Sequence, residues 1–250
     1  MTKKKKVIVV FVAILIVLMG DVAVYANDYY RATDEINVYL QGSDTVSVNE
    51  TGFGLFLDGD GTENAMIFYP GAKVEYTAYL PLLYKLAEDG TDVFLVKMPC
   101  NLAFLGMNTA DDIISAYDYD NWYLAGHSLG GAMIANYAAG KLESGVTNIK
   151  GLLLLAAYPT KSLDYDDFSV LTIYGSEDKV VNLSNIESGR DFMPQNAKEF
   201  VIDGGNHAQF GCYGAQKGDG EATISAEEQW NETVKETEEY LINHDFDLDS

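Results

Sequence analysis

Between Ala65 and Leu241, short apolar runs alternate with segments whose apolar residues recur at helical spacing. Residues 65–69, 93–96, 122–125, 152–156, 170–174 and 200–202 read as strands. Tyr79, Leu82, Leu83 and Leu86 fall at i, i+3, i+4 and i+7, the stripe of a helix that Gly90 stops, and a second helix is predicted over 110–116. The last helix is predicted to begin near Ser225, where Ser225 and Glu228 have the spacing of a capping box and Trp230, Val234 and Leu241 fall on one face. Two further strands, 45–48 and 52–57, precede the alternation and meet a turn at Asp58-Gly59-Asp60-Gly61. Strands and helices in this order form a mostly parallel sheet covered by helices on both faces, so the predicted class is α/β. In such sheets ligands bind beyond the carboxyl ends of the strands.

One strand-to-helix junction carries chemistry. In WYLAGHSLGGAMIANY, residues 122–137, a buried strand gives way to a Gly/Ala-rich helix through Gly126-His127-Ser128-Leu129-Gly130. This is the G-x-S-x-G elbow, in which glycines remove the Cβ atoms that would block a tight bend and leave the serine Oγ protruding. A serine hydroxyl needs a base in reach and a third group to orient that base. Of the three histidines, His127 is held inside the elbow and His244 lies in an acidic tail. His207, in the glycine-rich loop after the last strand, is the expected base. The loop Tyr174-Gly175-Ser176-Glu177-Asp178 places Asp178 just past a strand end as the orienting acid, with Glu177 as its competitor. A developing oxyanion requires fixed N–H donors. The Leu129 amide at the helix start is one, helped by the macrodipole. The other is expected in the turn Tyr69-Pro70-Gly71-Ala72-Lys73, with Ala72 the first choice and Lys73 the second.

These features together resemble the α/β-hydrolase superfamily over about residues 45–244, and the chain order Ser128, Asp178, His207 is the one associated with it. More narrowly, YPGAKVE, VKMPCNLAFL and GGNHAQFGCYG are similar to a compact bacterial branch akin to the dienelactone-hydrolase group, many members of which carry an N-terminal membrane segment. The resemblance implies an α/β-hydrolase fold and serine chemistry. Dienelactone hydrolases have a cysteine where this chain has Ser128, and the usual His-Gly of the oxyanion turn is Pro70-Gly71 here.

The remaining expectations concern what surrounds this centre. Lys3–Lys6 precede thirteen apolar residues, 7–19, and Val24-Tyr25-Ala26 offers a cleavage site, so residues 1–26 read as a signal peptide or a signal anchor, 27–44 as a linker, and 45–250 as the catalytic domain. The protein is then expected at the cell membrane with its catalytic domain outside, or secreted. The net charge of −22 repels phosphates and excludes nucleic acid as a plausible partner. The two cysteines, Cys100 and Cys212, flank the same predicted rim and could pair in an oxidising compartment. No Cys/His cluster has zinc spacing, the Asp58–Gly61 stretch lacks the later ligands of a calcium loop, and no cofactor is expected. The interval 159–167 is too short for a lid or a separate cap domain. The substrate pocket is therefore expected from rim loops, through Lys73, Glu75, Leu102, Phe104, Leu105, Phe210 and Tyr213. The expected activity is hydrolysis of short, soluble carboxylic esters or thioesters through an acyl-Ser128. A peptidase using the same triad and a noncatalytic binding module on the same fold are the alternatives.

Overall fold

The computed structural model describes residues 27–242, together with residues 4, 5, 11, 12, 20 and 25. Most of the expected export segment, and His244, lie outside the described residues. Among the described residues no helix is long and apolar enough to cross a membrane.

Eight strands form one sheet: β1 (Ser47–Thr51), β2 (Gly54–Asp58), β3 (Asn64–Tyr69), β4 (Asp92–Val96), β5 (Asn121–His127), β6 (Ile149–Leu155), β7 (Ser169–Gly175) and β8 (Lys198–Ile202). Their spatial order is β1-β2-β4-β3-β5-β6-β7-β8. At one edge β1 and β2 form a hairpin whose β2 pairs antiparallel with β4, and β4, β3, β5, β6, β7 and β8 run parallel. The helices are α1 (Leu80–Glu88), α2 (Thr109–Ala116), α3 (Leu129–Glu143), α4 (Leu183–Gly189) and α5 (Ala226–Thr237).

Buried on both faces, the central strands consist of unbroken apolar runs, as parallel sheets require. The side chains still alternate. On β3, Met66 and Phe68 join one core while Ala65, Ile67 and Tyr69 join the other. The first core is closed by α1 through Leu80, Leu82 and Leu83 and by α5 through Trp230 and Val234. The second is closed by Ala110 and Ile113 of α2 and by Ile134, Ala135 and Ala138 of α3. Helix α5 starts in the predicted capping box, with Ser225 accepting from the Glu228 amide and Glu228 accepting from the Ser225 amide. The Asp58–Gly61 stretch is a tight connection, in which the Gly59 amide donates to the buried Asp92 carboxylate at 2.8 Å.

Residues 27–44, expected as a linker, lie against the domain instead. Tyr30 forms a parallel bridge to Val74, and a 3-10 helix, Asp34–Gln41, buries Ile36 in the first core. Nothing in the local pattern of this stretch signals such docking, because the hydrogen-bond partners of Tyr30, Ala32 and Thr33 lie more than forty residues away.

Candidate active site

The elbow is built by close approach. Strand β5 ends at His127, Ser128 takes φ 52° and ψ −122°, and α3 begins at Leu129. A left-handed φ is costly for a residue with a Cβ and persists only where its surroundings enforce it. Here the Ser128 amide is held by the Leu155 carbonyl of β6 at 2.9 Å. The flanking glycines are obligatory. A Cβ on Gly126 would lie 2.6 Å from the Gly131 nitrogen, and one on Gly130 would lie 2.2 Å from the Tyr69 carbonyl oxygen. Helix α3 therefore packs directly against the ends of β5 and β3, and its N-terminus with the Leu129 amide lies beside Ser128.

Asp178 and His207 arrive from the next strands along. Asp178 follows β7, and its Oδ1 accepts the Val180 and Val181 amides at 2.8 Å each. Its Oδ2 lies 2.8 Å from His207 Nδ1, and both side chains are almost wholly removed from solvent. An acceptor facing Nδ1 places the imidazole proton there and leaves Nε2 as the free base. Glu177, the competing acid, is directed to the surface near Lys179. His207 lines the same cavity as Ser128. No hydrogen bond joins Ser128 Oγ to the imidazole in this arrangement; contacts of that kind tighten when substrate is bound.

The histidine loop has two supports that sequence reasoning did not find. Buried Gln229 of α5 accepts the Asn206 amide at 3.0 Å and donates to the Asn206 carbonyl at 2.8 Å. Asp219 accepts the His207 and Ala208 amides. Neither has a sequence signature, since an amide or carboxylate that reads backbone leaves no periodic trace.

His127 is wholly buried, and burial holds its pKa well below the usual value, so the ring is neutral. Its Nδ1 lies 2.7 Å from the Tyr79 hydroxyl, and that hydroxyl also accepts the Gly71 amide at 3.0 Å. With the Gly71 N–H on one lone pair, the Tyr79 hydroxyl keeps its own proton available to His127 Nδ1. Tyr79 thereby ties the elbow to the turn after β3. In that turn neither the Ala72 amide nor, across the site, the Leu129 amide is spent on a backbone acceptor outside its own element.

The expected pocket and disulfide need correction. The cavity at Ser128 has a volume of about 290 Å³ and is walled by Leu129 and Ala132 of α3, by Ala156, Ala157 and Tyr158 after β6, and by Val180, Val181 and Asn182 after β7. None of Lys73, Glu75, Leu102, Phe104, Leu105, Phe210 or Tyr213 belongs to this lining. Phe210 and Tyr213 are buried in the first core, Leu102 is buried, and Phe104 and Leu105 are exposed. Lys73 pairs with Asp28, and Glu75 accepts the Ala32 amide. Both cysteines are free. Cys212 is turned toward Thr33 Oγ1 at 3.0 Å and Glu35 at 3.4 Å, whereas Cys100 is exposed with a left-handed φ of 52°. Burial pushes the Cys212 thiol up from its ordinary pKa. Among the described residues no group of three or more His, Cys, Asp or Glu side chains is placed to hold a metal ion.

A family model described as "Alpha/beta hydrolase family" matches residues 65–231. No curated protein matches the chain. Among solved structures, a predicted CIB-like hydrolase of Thermoplasma acidophilum is 14% identical with a TM-score of 0.58, the match covering 76% of this chain and 97% of that one. A bacterial heroin esterase is 13% identical with a TM-score of 0.55, covering 83% and 89%. A dienelactone hydrolase-like protein of Klebsiella pneumoniae is 16% identical with a TM-score of 0.53, covering 77% and 98%. At these identities the likeness is one of fold.

Proposed function

Because the chain belongs to the alpha/beta hydrolase family, we propose that it is a serine hydrolase cleaving carboxylic esters, or thioesters, through an acyl-Ser128 intermediate, outside the cytoplasm and either tethered or secreted. The observation that carries this reading is the 2.8 Å bond between His207 Nδ1 and Asp178 Oδ2, on the cavity that Ser128 lines. The location rests on the lysine-led apolar run at the N-terminus.

In this mechanism Asp178 keeps the imidazole proton on Nδ1, so His207 Nε2 takes the Ser128 proton as Oγ adds to the ester carbonyl. The carbonyl oxygen becomes an oxyanion facing the Leu129 and Ala72 amides, and the start of α3 adds the positive end of its dipole. His207 then protonates the leaving alcohol or thiol, and the acyl group remains on Ser128. Water enters, His207 removes its proton, and the same two amides receive the second oxyanion before Ser128 is released.

A fluorophosphonate probe tests this directly. The wild type is expected to be labelled and Ser128→Ala not. A folded wild type that takes no label, and hydrolyses neither ester nor peptide, supports a noncatalytic module instead. A panel in which peptides are cleaved in preference to esters points to a peptidase.

A further inference from the structure

We propose that the segment around Tyr30 positions the oxyanion turn, so that a stretch outside the sheet and helices sets the rate of the reaction at Ser128. This inference rests on the acyl-transfer reading above. Its starting point is the backbone of Lys73, which has φ 56°. A left-handed lysine stays in place only if its neighbours over-determine it. They do so from both sides. The Lys73 amide donates to the Asn101 carbonyl at 2.8 Å, while the Lys73 carbonyl accepts the Tyr30 amide at 2.7 Å. The pairing continues as the Glu75 amide donates to the Tyr30 carbonyl at 2.8 Å, and the Glu75 carboxylate accepts the Ala32 amide at 3.2 Å. Lys73 Nζ reaches back to Asp28 at 2.6 Å.

The Ala72 peptide therefore sits between two anchored residues, Gly71 on the Tyr79 hydroxyl and Lys73 on Tyr30 and Asn101. An amide so placed has little freedom to tilt, and a fixed donor orientation is what stabilises a developing oxyanion. The same short segment also bonds to the loop that continues from His207. The Thr33 amide donates to the Cys212 carbonyl at 2.9 Å, the Tyr30 ring lies 5.6 Å from that of Tyr213, and the Tyr30 hydroxyl accepts the Lys217 amide at 3.1 Å. One stretch of six residues thus bonds to the turn that carries Ala72 and to the loop that continues from His207.

The test uses full-length protein and hydrolysis of p-nitrophenyl butyrate, with folding followed by circular dichroism. Tyr30→Pro removes the amide that holds Lys73, whereas Tyr30→Ala removes the ring and keeps that amide. Misplacing one donor of this type costs on the order of tenfold to a hundredfold in rate. Tyr30→Pro is therefore expected to lower kcat about tenfold or more with KM within twofold. Tyr30→Ala loses less. Glu75→Ala, which removes only a carboxylate acceptor, gives a smaller fall in kcat that Glu75→Gln restores, and it carries the test should Tyr30→Pro not fold. A kcat within twofold of wild type in every folded variant overturns the inference, as does a loss that appears only in KM or only as a lower folded fraction. A wild type that neither hydrolyses esters nor takes the fluorophosphonate label removes the acyl-transfer reading, and this inference with it. That outcome is distinct from an active wild type indifferent to the variants.

Discussion

The Tyr79 hydroxyl stands 2.7 Å from His127 Nδ1 and links, through the Gly71 amide, the elbow of β5 to the turn after β3. Tyr79→Phe removes one oxygen and strands two buried groups, the Gly71 N–H and His127 Nδ1. An unsatisfied buried polar group costs about 1–3 kcal/mol, so the variant should lose about 2 kcal/mol or more in urea denaturation at unchanged m. It should also lose kcat, since the turn beneath Ala72 is released. A stability change below about 0.5 kcal/mol would show that the link is incidental.

His127 gives the protein an acid-sensitive stability. The folded ring is neutral because burial depresses its pKa well below 6.5, while in the unfolded chain it titrates near that ordinary value. Below pH 6.5 the unfolded state therefore binds a proton that the folded state refuses. The contribution of His127 is fully present above that pH and is lost as pH falls, down to the lowered folded value, with a slope approaching about 1.4 kcal/mol per pH unit. Between pH 6.5 and 5 the wild type should lose stability more steeply than His127→Gln. Parallel curves for the two proteins would remove His127 as the source.

Asp178→Asn separates geometry from charge at the proposed triad. The asparagine oxygen can still accept the Val180 and Val181 amides, so the loop should keep its shape. Its NH₂ then faces His207 Nδ1 and forces the proton onto Nε2, the atom that must accept from Ser128. With the wrong tautomer, kcat should fall by about 10³–10⁴ with little change in melting temperature. A loss of less than tenfold would indicate that another acid orients the imidazole.

On the proposed mechanism, the cavity beside Ser128 limits the acyl length. At about 290 Å³ it lies at the small end of ligand pockets. Ala132, Ala156 and Ala157 leave room along its wall for a short acyl chain. p-Nitrophenyl acetate or butyrate should give a higher kcat/KM than palmitate at equal monomeric concentration. Ala132→Leu should depress butyrate turnover more than acetate. The reverse order of chain lengths would mean that the acyl group lies elsewhere.

The legible parts of this molecule are those in which local pattern and local structure coincide. The elbow could be read because Gly126 and Gly130 are demanded by contacts a few ångströms away, and α5 because Ser225 and Glu228 cap it within one turn. Asp178 and His207 could be read because strand ends place them. The pocket wall could not. Ala156 to Tyr158 and Val180 to Asn182 carry no pattern saying which loop leans over Ser128, and the aromatic residues of the other rim were better candidates on hydrophobicity alone. In the fold, Phe210 and Tyr213 spend that hydrophobicity on the core. The short helix α4 lacks an apolar stripe long enough to announce it, with only Ile186 and Gly189 buried. The docking of 27–44 was hidden for the same reason as Gln229 and Asp219: backbone recognition across the chain leaves no periodicity.

The groups of the proposed centre follow four different parallel strands: Ala72 after β3, Ser128 after β5, Asp178 after β7 and His207 after β8. Neighbours β3 and β5 pair residues 57 apart in sequence, such as Asn64 with Asn121. Pairings this distant form late, because the loop must close before any contact rewards it. No fragment of the sheet holds all four groups together, so under the proposed reading refolding chains should recover helical circular dichroism before they recover turnover. If these groups carry the reaction, an incomplete chain is inert, and reactivity comes only with the last strand in place.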